Sequence, residues 1–261
     1  MSMVKDTVSP ISMVGPVLVG GMGYPMSELA ALPPRTPHPT GLSEMDDVLS
    51  GGVGAGEVLT ITGTPGIGVS RLAMQAAVGA ARSAKVLFVN GHMPTRRLLV
   101  GLRDIGEQSG LTPEALDRFE VASWVPLPNP GGPDDRWLGY DYDVVVIDCL
   151  DEMFRPQAWP DADEVLRHSR WLRECAQRSS TALVITARAE QASQIGYPGF
   201  AEAWRRHRAR LAFDDIADSS CQIFLDAEGE ISVRLASRGG QRLIRRSRMG
   251  PDSLIRFAGD S

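Results

Sequence analysis

From about residue 40 onward, short apolar runs alternate with amphipathic stretches along the chain. Runs dense in apolar and often β-branched residues predict strands at 58–62, 85–89, 144–147 and 182–186. The run from Val144 to Ile147 contains no polar position, which is typical of a strand buried on both faces. Apolar residues at helical spacing predict helices at 71–82, 96–108 and 163–178. The last helix has an inner stripe of Val165, Leu166, Trp171, Leu172 and Cys175.

After residue 220 the pattern changes to short runs at hairpin spacing, at 221–225, 230–235, 242–246 and 253–257. Strands that alternate with helices usually form parallel sheets, whereas consecutive short strands usually pair antiparallel. The chain is therefore predicted to be an α/β protein. We expect a mostly parallel twisted sheet flanked by helices, with a C-terminal antiparallel β-meander.

Residues 1–39 show neither the short apolar runs of strands nor the helical spacing of apolar residues, and they are rich in Pro, Gly, Met and Ser. The proline-dense stretch 31–39 is incompatible with a helix or a central strand, because proline lacks a backbone donor and fixes φ. We expect a flexible or polyproline-like leader over 1–39, followed by one domain over 40–261. A Pro- and Gly-rich internal loop is predicted at 126–136.

Composition narrows the class of protein. With 27 Lys and Arg against 32 Asp and Glu, the formal net charge of −5 excludes a strongly basic nucleic-acid coat protein, but not a local basic patch. Three scattered cysteines, Cys149, Cys175 and Cys221, argue against a disulfide framework and fit a reducing compartment. No run approaches 18 apolar residues and the N-terminal segment is interrupted by prolines, so neither a membrane span nor a signal peptide is predicted. We expect a cytoplasmic protein with no membrane partner.

A glycine-rich segment, Gly63-Thr-Pro-Gly-Ile-Gly-Val-Ser70, lies between a predicted strand and a predicted helix. A phosphate-binding loop has the pattern G-x-x-x-x-G-K-[ST] in this context. Glycines allow backbone N–H groups to surround phosphate oxygens, and the helix N-terminus adds partial positive charge. The predicted nucleotide-binding residues are Gly63, Thr64, Pro65, Gly66, Gly68, Val69 and Ser70.

Val69 stands where such a loop carries its lysine. The lysine ammonium normally neutralises charge on the β- and γ-phosphates. Losing a charge-assisted contact of this kind costs roughly 1.5–3 kcal/mol, which lowers affinity at least about tenfold. We therefore expect ATP with Mg²⁺ to bind weakly or not at all. The alternative is a glycine-rich turn that never contacts a phosphate.

The buried strand 144–147 ends in Asp148. An apolar strand that ends in an acid is the Walker B pattern, whose carboxylate orders Mg²⁺ through the loop Ser or Thr. The pattern is weak alone but gains weight from the phosphate loop that precedes it. Ser70 and Asp148 are therefore the predicted Mg²⁺ site, provided that nucleotide binds.

With these motifs in place, the chain resembles the RecA-like P-loop ATPase core of DnaB-type replicative DNA helicases over about residues 39–257, and more distantly RadA and KaiC proteins. The runs 40–46, 49–52 and 56–59 are similar to that family's opening pattern, TG-x-x-x-LD-x-x-x-GG-x-x-x-G-[ED]-L. The run Ile147-Asp-Cys-Leu-Asp-Glu-Met153 is similar to its IDYLQLM strand end. The resemblance implies a RecA-like fold, ATP between the subunits of a ring, and work on DNA.

The resemblance also extends to a late basic hairpin, Arg246-Ser-Arg-Met-Gly-Pro251, which is similar to the family's K-x-R-x-G-P. In the family this hairpin supplies an arginine finger to the neighbouring subunit's nucleotide. By resemblance, Arg246 and Arg248 would take that catalytic role. The alignment of Arg238-Gly-Gly240 with the same motif and a merely solvated basic hairpin remain open alternatives.

Three positions depart from the family's catalytic pattern. His92 stands where the family has the Glu that activates water, and a neutral imidazole can accept a proton but lacks the negative charge that orients water. Ala187, or its neighbour Arg188, falls at the γ-phosphate sensor Gln. Together with Val69, these changes predict that hydrolysis is lost or weak.

A cluster of arginines follows Trp204, at Arg205, Arg206, Arg208 and Arg210. By resemblance it lies where the helicases carry loops that face the DNA channel. Arginines bind phosphates without reading sequence, and Trp204 could stack on an unpaired base. The alternative is a solvated helix face balanced by nearby aspartates, including Asp214, Asp215 and Asp218.

These features favour a degenerate RecA- and DnaB-helicase-like protein that is not an efficient ATPase. It would be a regulatory or structural subunit that binds nucleotide, DNA or a replicative helicase partner, with or without self-association into a ring. One alternative is an active ATP-dependent helicase or translocase, with Arg71 or Arg188 in place of the lysine and Glu57 or Asp151 in place of the Glu. Another is a protein-interaction module whose phosphate loop is vestigial.

Overall fold

A computed structural model describes residues 35–123, 141–150, 162–188, 215–225, 231–237, 240–245 and 255. In this part of the chain the helices are α1 (Ser43–Val48), α2 (Val69–Ala80), α3 (Thr95–Gln108), α4 (Pro113–Leu116) and α5 (Ala162–Ser179). The strands are β1 (Pro37–His38), β2 (Val53–Gly54), β3 (Val58–Gly63), β4 (Val86–Asn90), β5 (Phe119–Ser123), β6 (Val144–Asp148), β7 (Ala182–Arg188), β8 (Ser219–Leu225), β9 (Ile231–Ser237) and β10 (Gly240–Arg245).

The main sheet has eight strands in the order β10-β9-β8-β3-β7-β6-β4-β5. The six strands from β8 to β5 pair parallel to their neighbours, whereas β9 pairs antiparallel with both β8 and β10. The predicted α/β class is confirmed, with a mostly parallel sheet and an antiparallel C-terminal edge. The strand at 221–225 was expected to be antiparallel throughout, and this is wrong on one side, because β8 runs parallel to β3 with Cys221 beside Ile61.

Helices cover both faces of the sheet, and each central strand sends alternate side chains to opposite faces. In β6, Val144 and Val146 join the apolar cluster that contains α2 and α3. Val145 and Ile147 join the cluster on the other face, with α5. The predicted double-sided burial of this strand is confirmed. The stripe on α5 also packs as expected, with Leu166 partly buried and Val165, Trp171, Leu172 and Cys175 buried.

The opening motif, residues 40–46, is folded against α2, the helix that follows the phosphate loop. The Asp46 carboxylate accepts hydrogen bonds from the Thr40 backbone N (2.7 Å), the Thr40 hydroxyl (2.7 Å) and the Gly41 N (3.1 Å). This turn lies directly on α2, where a Cβ at Gly79 would stand 2.0 Å from the Thr40 carbonyl oxygen. Glycine at position 79 therefore allows the opening segment to cross the helix at backbone contact.

Residues 35–38, from the segment predicted to be a leader, lie against the domain. The strands β1 and β2 pair antiparallel, and the Arg35 guanidinium is 2.8 Å from the Glu57 carboxylate. Residues 1–34 and the predicted loop 126–136 lie outside the described residues, so both assignments stay predictions, as does the boundary at residue 40. Of the predicted strand 253–257 only Ile255 is described, and its backbone N–H and carbonyl are both hydrogen-bonded to the Gln75 side chain of α2.

Two further sequence expectations are tested by this fold. Cys149, Cys175 and Cys221 are buried and form no disulfide with one another, which agrees with the prediction that the chain has no disulfide framework. In the described ranges, every helix is too short or too polar to cross a membrane.

Candidate nucleotide-binding site

The glycine-rich segment links β3 to α2, as the sequence predicts. Gly63 ends the strand and Val69 begins the helix. Between them, Gly66 and Gly68 have φ values of +85° and +107°, a backbone conformation that favours glycine. A Cβ at Gly66 would meet no atom within 4 Å, so this side of the loop is open. The strand, loop and helix thus form a cradle of the kind that binds phosphate.

Val69 packs inward at the base of this loop. A Cβ placed on Gly63 would lie 2.8 Å from Val69 Cγ2, so the valine methyl covers the end of β3. The side chain is half-buried and packs against the main apolar cluster. The position that holds a lysine in phosphate loops is therefore an apolar contact here, and it supplies no charge to the cradle.

Asp148 ends β6 beside the loop, and its carboxylate is fully buried. Its Oδ1 accepts a 2.7 Å hydrogen bond from the Thr186 hydroxyl, which in turn accepts one of 2.7 Å from the Cys149 backbone N. Its Oδ2 is also buried and has no hydrogen-bond partner among the described residues. Thr186 therefore engages one carboxylate oxygen, whereas the other oxygen is buried without a hydrogen bond.

His92 is the side chain that faces this oxygen, with Nδ1 3.5 Å from Asp148 Oδ2 and the side chain 31% exposed. Asn90 shapes the turn that carries it. The Asn90 Oδ1 accepts hydrogen bonds from the backbone N of Met93 (2.9 Å) and of His92 (3.4 Å), and its Nδ2 donates to the Met93 carbonyl (2.6 Å). Because Asn90 pairs with Asp148 in the sheet register, this turn places the imidazole beside the acid.

Burial raises the pKa of the Asp148 carboxyl above its ordinary value, since the charged form loses its hydration. The Thr186 hydrogen bond, the nearby His92, the Ser70 hydroxyl and the Arg188 guanidinium act in the opposite direction. An ionised Asp148 at neutral pH is therefore a cost to the fold. Buried polar groups of this kind are often retained for binding or catalysis.

We expect Asp148→Asn to stabilise the protein at pH 7 by about 1 kcal/mol or more, because it removes a buried carboxylate whose Oδ2 lacks a partner. The Asp148 carboxyl has a higher pKa in the folded protein than in the unfolded chain. Its protonated form therefore stabilises the fold at pH values below the unfolded-state pKa, and this stability is lost as the pH rises through the folded-state pKa. The gain should therefore be largest at neutral pH and shrink as pH falls towards 4. Thermal unfolding from pH 4 to 8 measures it, with the exposed Asp117→Asn as control. Equal melting temperatures for wild type and Asp148→Asn at pH 7 would contradict this account.

An open cleft of about 670 Å³ extends from the loop to the first turns of α3 and to the ends of β6 and β7. Its volume is in the range of small-ligand sites. Three arginines line it: Arg71 from α2, Arg97 from α3 and Arg188 from the end of β7. Asp104 of α3 also lines the cleft, so its lining combines three guanidinium groups with one carboxylate, and position 69 adds no ammonium.

The structure brings most of the predicted site residues together. The loop residues 63–66, 68–70 and His92 line one cleft, and Asp148 lies directly behind it. Ala187 and Arg188, the two candidates for the sensor position, line its wall. The predicted DNA-binding arginines Arg205, Arg206, Arg208 and Arg210 and the predicted finger residues Arg246 and Arg248 lie outside the described residues, so they stay predictions.

One substitute catalytic group proposed from the sequence is wrong. Glu57 precedes the amino end of β3, whereas the loop follows its carboxyl end, about 20 Å away along a six-residue strand. The Glu57 carboxylate is also bound by the Arg35 guanidinium and the Gly54 backbone N. It cannot activate a water molecule beside the loop. Asp151, the other substitute, lies outside the described residues.

Sequence reasoning missed three residues of this site: Thr186, Asn90 and Arg97. Thr186 and Asn90 look like ordinary strand-end residues, and their roles follow from the neighbours that the sheet gives them. Arg97 is one of many arginines in the chain, and it reaches the cleft because α3 begins beside the loop.

The donors that face the loop suit Mg²⁺ only in part. The Ser70 hydroxyl and the Asp148 carboxylate are oxygen ligands, which Mg²⁺ prefers. His92 places a ring nitrogen 3.5 Å from Asp148 Oδ2, and Mg²⁺ does not favour a nitrogen ligand. Bound Mg²⁺ would neutralise phosphate charge at Ser70 and Asp148.

Similarity to known proteins agrees with this geometry. The chain is 28% identical over 153 residues to the DNA repair and recombination protein RadB of Pyrococcus abyssi, which covers 56% of this chain and 64% of RadB. It is 36% identical over 67 residues to the DNA repair protein RadA of Aquifex aeolicus (26% of this chain, 15% of that protein). It is 46% identical over 55 residues to RadA of Mycolicibacterium smegmatis (21% and 12%). The matches thus span less than two thirds of each relative, and no protein-family model matches the chain.

The fold is RecA-like. A parallel sheet with a phosphate loop after β3, an acid at the end of β6 and an antiparallel edge beyond β8 carries this assignment, together with the similarity to RadB. RadA, which the sequence resemblance included as a more distant relative, is among the similar proteins. The more specific DnaB-type assignment stays a prediction.

Proposed function

We propose that this chain is a RecA-like nucleotide-binding protein with weak or absent ATP hydrolysis, acting as a regulatory or structural subunit on DNA. The observation that carries the proposal is the contrast within one site. The glycine-rich loop and the Asp148 carboxylate, which Thr186 holds by a hydrogen bond, lie together. Val69, in contrast, is packed as an apolar residue, and His92 stands where the resemblance places the Glu that activates water.

The nucleotide is proposed to lie along the loop with its phosphates towards the start of α2. Backbone N–H groups of residues 63–70 would surround the phosphates, and the helix N-terminus adds partial positive charge. Arg71, Arg97 and Arg188 line the same cleft and supply positive charge that Val69 lacks. This arrangement favours a loop that binds nucleotide over a vestigial loop. It supports ATP as the ligand, with a divalent cation at Ser70 and Asp148.

Hydrolysis needs more than binding. A general base contributes typically about 10²–10⁴-fold, and its loss leaves the bound nucleotide intact for longer. His92 lies beside a buried carboxylate and carries no negative charge of its own. We therefore propose that the nucleotide acts here as a ligand that stabilises one state of the protein, and that its hydrolysis does not drive a reaction cycle.

DNA is the proposed macromolecular partner. The similar proteins are named for DNA repair and recombination. The arginines at 205, 206, 208 and 210 offer non-specific phosphate contacts, and Arg246 with Arg248 would face a neighbouring copy's nucleotide in a ring. A replicative helicase as partner, a DnaB-like role and a cytoplasmic location are parts of the same proposal. The location is supported by three cysteines that form no disulfide with one another.

A second candidate is a working ATPase or translocase with substitute residues. The presence of Arg71 and Arg188 in the cleft favours it, because either guanidinium could replace the lysine charge. Under this alternative Asp148→Ala should abolish turnover, since the cation would lose its carboxylate ligand.

Calorimetric titration with ATP and Mg²⁺, combined with an ATPase assay, tests the proposal. We expect binding in the micromolar to submillimolar range and no turnover above background, with or without single-stranded DNA. Arg188→Gln should weaken ATP binding at least about fivefold, because it removes a guanidinium group that lines the cleft. Arg103→Gln is the control, since it removes an exposed arginine of α3 outside the cleft and should leave the affinity unchanged. No binding at millimolar ATP would establish the vestigial loop, and turnover near 1 s⁻¹, an ordinary enzyme value, would establish the second candidate.

A further inference from the structure

We infer that His92 makes this a site for a nucleotide-bound cation that accepts imidazole, of the Zn²⁺ or Co²⁺ class, in preference to Mg²⁺. The inference rests on the proposed nucleotide binding and names the cation that would accompany the nucleotide. It concerns the pair formed by His92 Nδ1, which lines the cleft, and Asp148 Oδ2, which lies behind it.

The distance between these two atoms suits a shared ion. They are 3.5 Å apart, which is longer than a normal hydrogen bond. Two ligands bonded to one zinc ion at about 2.0–2.2 Å and a near-tetrahedral angle stand about 3.3–3.6 Å apart. The separation between the imidazole nitrogen and the carboxylate oxygen therefore matches that of two ligands of one ion.

The carboxylate is oriented for a further partner. Thr186 holds Oδ1 at 2.7 Å, whereas Oδ2 is buried and has no hydrogen-bond partner among residues that the structure describes. A buried carboxylate oxygen without a hydrogen bond is costly, and a cation is a partner that offsets this cost. The Asn90 side chain fixes the backbone turn that carries His92, and the imidazole lies 3.5 Å from this oxygen.

The nitrogen donor determines which cations fit. Mg²⁺ requires near-octahedral oxygen ligands and retains water, whereas imidazole suits Zn²⁺ and related first-row ions. A glutamate at position 92 would offer oxygen instead, so the histidine changes the chemical class of the ligand set. His92, which weakens water activation, would thus serve as a ligand of the cation.

Among the described residues, acidic, histidine and cysteine side chains do not complete the coordination sphere. In the described ranges, no three such side chains gather around one point. His92, Asp148 and the Ser70 hydroxyl therefore leave positions that the nucleotide phosphates must fill. It follows that nucleotide and cation bind together, and that each is weak without the other.

Calorimetric and optical titrations with Co²⁺ and the non-hydrolysable nucleotide AMP-PNP test the inference. With metal-saturated nucleotide, we expect the wild type to bind the Co²⁺ complex at least tenfold more tightly than the Mg²⁺ complex. The bound Co²⁺ should show visible absorption bands that change when His92 is replaced, which reports the nitrogen ligand directly. His92→Gln, and independently His92→Glu, should reduce the Co²⁺-to-Mg²⁺ affinity ratio at least fivefold, while His38→Gln, which lies by Arg35 away from the loop, should keep it.

The possible results separate this inference from the proposed function. Equal affinity for the two complexes, or a preference and a Co²⁺ spectrum that His92→Gln leaves unchanged, would overturn the inference while nucleotide binding stands. Absence of nucleotide binding with either cation would overturn the proposed function and the inference with it.

Discussion

The double variant Val69→Lys, His92→Glu should hydrolyse ATP at least about 10²-fold faster than the wild type, because it restores both a phosphate-neutralising charge and a carboxylate beside the attacking water. Two further parts of the site are present in the described residues. The loop glycines have the required positive φ values, and Asp148 is fixed by Thr186. Steady-state ATPase rates with Mg²⁺ measure the effect.

The lysine should also strengthen binding. A regained charge-assisted contact is worth roughly 1.5–3 kcal/mol, so the affinity for ATP should rise at least about tenfold. The Val69 methyl packs on Gly63 at the base of the loop, and the aliphatic part of a lysine can keep much of that contact while its ammonium reaches the cleft. Val69→Met is the matched control, since it has a long apolar side chain without the charge and should leave affinity almost unchanged.

Three further variants decide the cause of any gain. Each single variant should give less than the double, because binding and water activation are separate steps. Adding Asp148→Ala to the double variant should remove the gain, since the cation loses its ligand. If the double variant binds ATP tightly and still fails to hydrolyse it, then Val69 and His92 are not sufficient to explain the loss of hydrolysis, and this account of the site is wrong.

Gly79→Ala should destabilise the domain by about 2 kcal/mol or more, which corresponds to a fall in melting temperature of roughly 4–8 °C. The new Cβ would lie 2.0 Å from the Thr40 carbonyl oxygen and 2.6 Å from the Gly41 backbone N. These are backbone atoms of the opening segment, which Asp46 holds with three hydrogen bonds. They can move away only if that segment leaves α2.

Gly106→Ala is the matched control, because Gly106 is also a buried helical glycine. Its Cβ would meet only Leu111 side-chain atoms, at 3.6 Å and 3.7 Å, which is ordinary contact. Both substitutions gain up to about 1 kcal/mol of helix propensity, so the difference between them isolates the contact with Thr40. Equal stability of the two variants, measured by denaturant unfolding, would show that the opening segment is not packed on α2.

Most of the regular structure could be predicted from local patterns. The β-branched run 144–147 and the helix over 163–178 were predicted to within one residue of β6 and α5. The helix α2 begins at Val69, two residues earlier than predicted, because Gly68 with φ +107° ends the loop directly before it. β5 was missed because it is a short edge strand with half-exposed residues and no strong apolar signal.

The phosphate loop and Asp148 were found because a few consecutive residues carry them. Glycines at set spacing determine the backbone of a loop, and an acid after four apolar residues must end a buried strand. The absence of a lysine at position 69 could likewise be read directly. These are short-range properties, and neighbours along the chain are sufficient to produce them.

The arrangement of the site depends on the order of the strands. His92 lies beside Asp148 because β4 and β6 are adjacent with Asn90 opposite Asp148, and Thr186 reaches the same acid because β7 lies on the other side of β6. Residues 92, 148 and 186 are far apart in the sequence, and many strand orders are compatible with the same local patterns. The chain's local sequence therefore specifies a phosphate-binding loop without its lysine. Long-range packing of the sheet is what brings an imidazole, a buried carboxylate and three arginines to that loop, because burial of apolar faces selects one strand order among the alternatives.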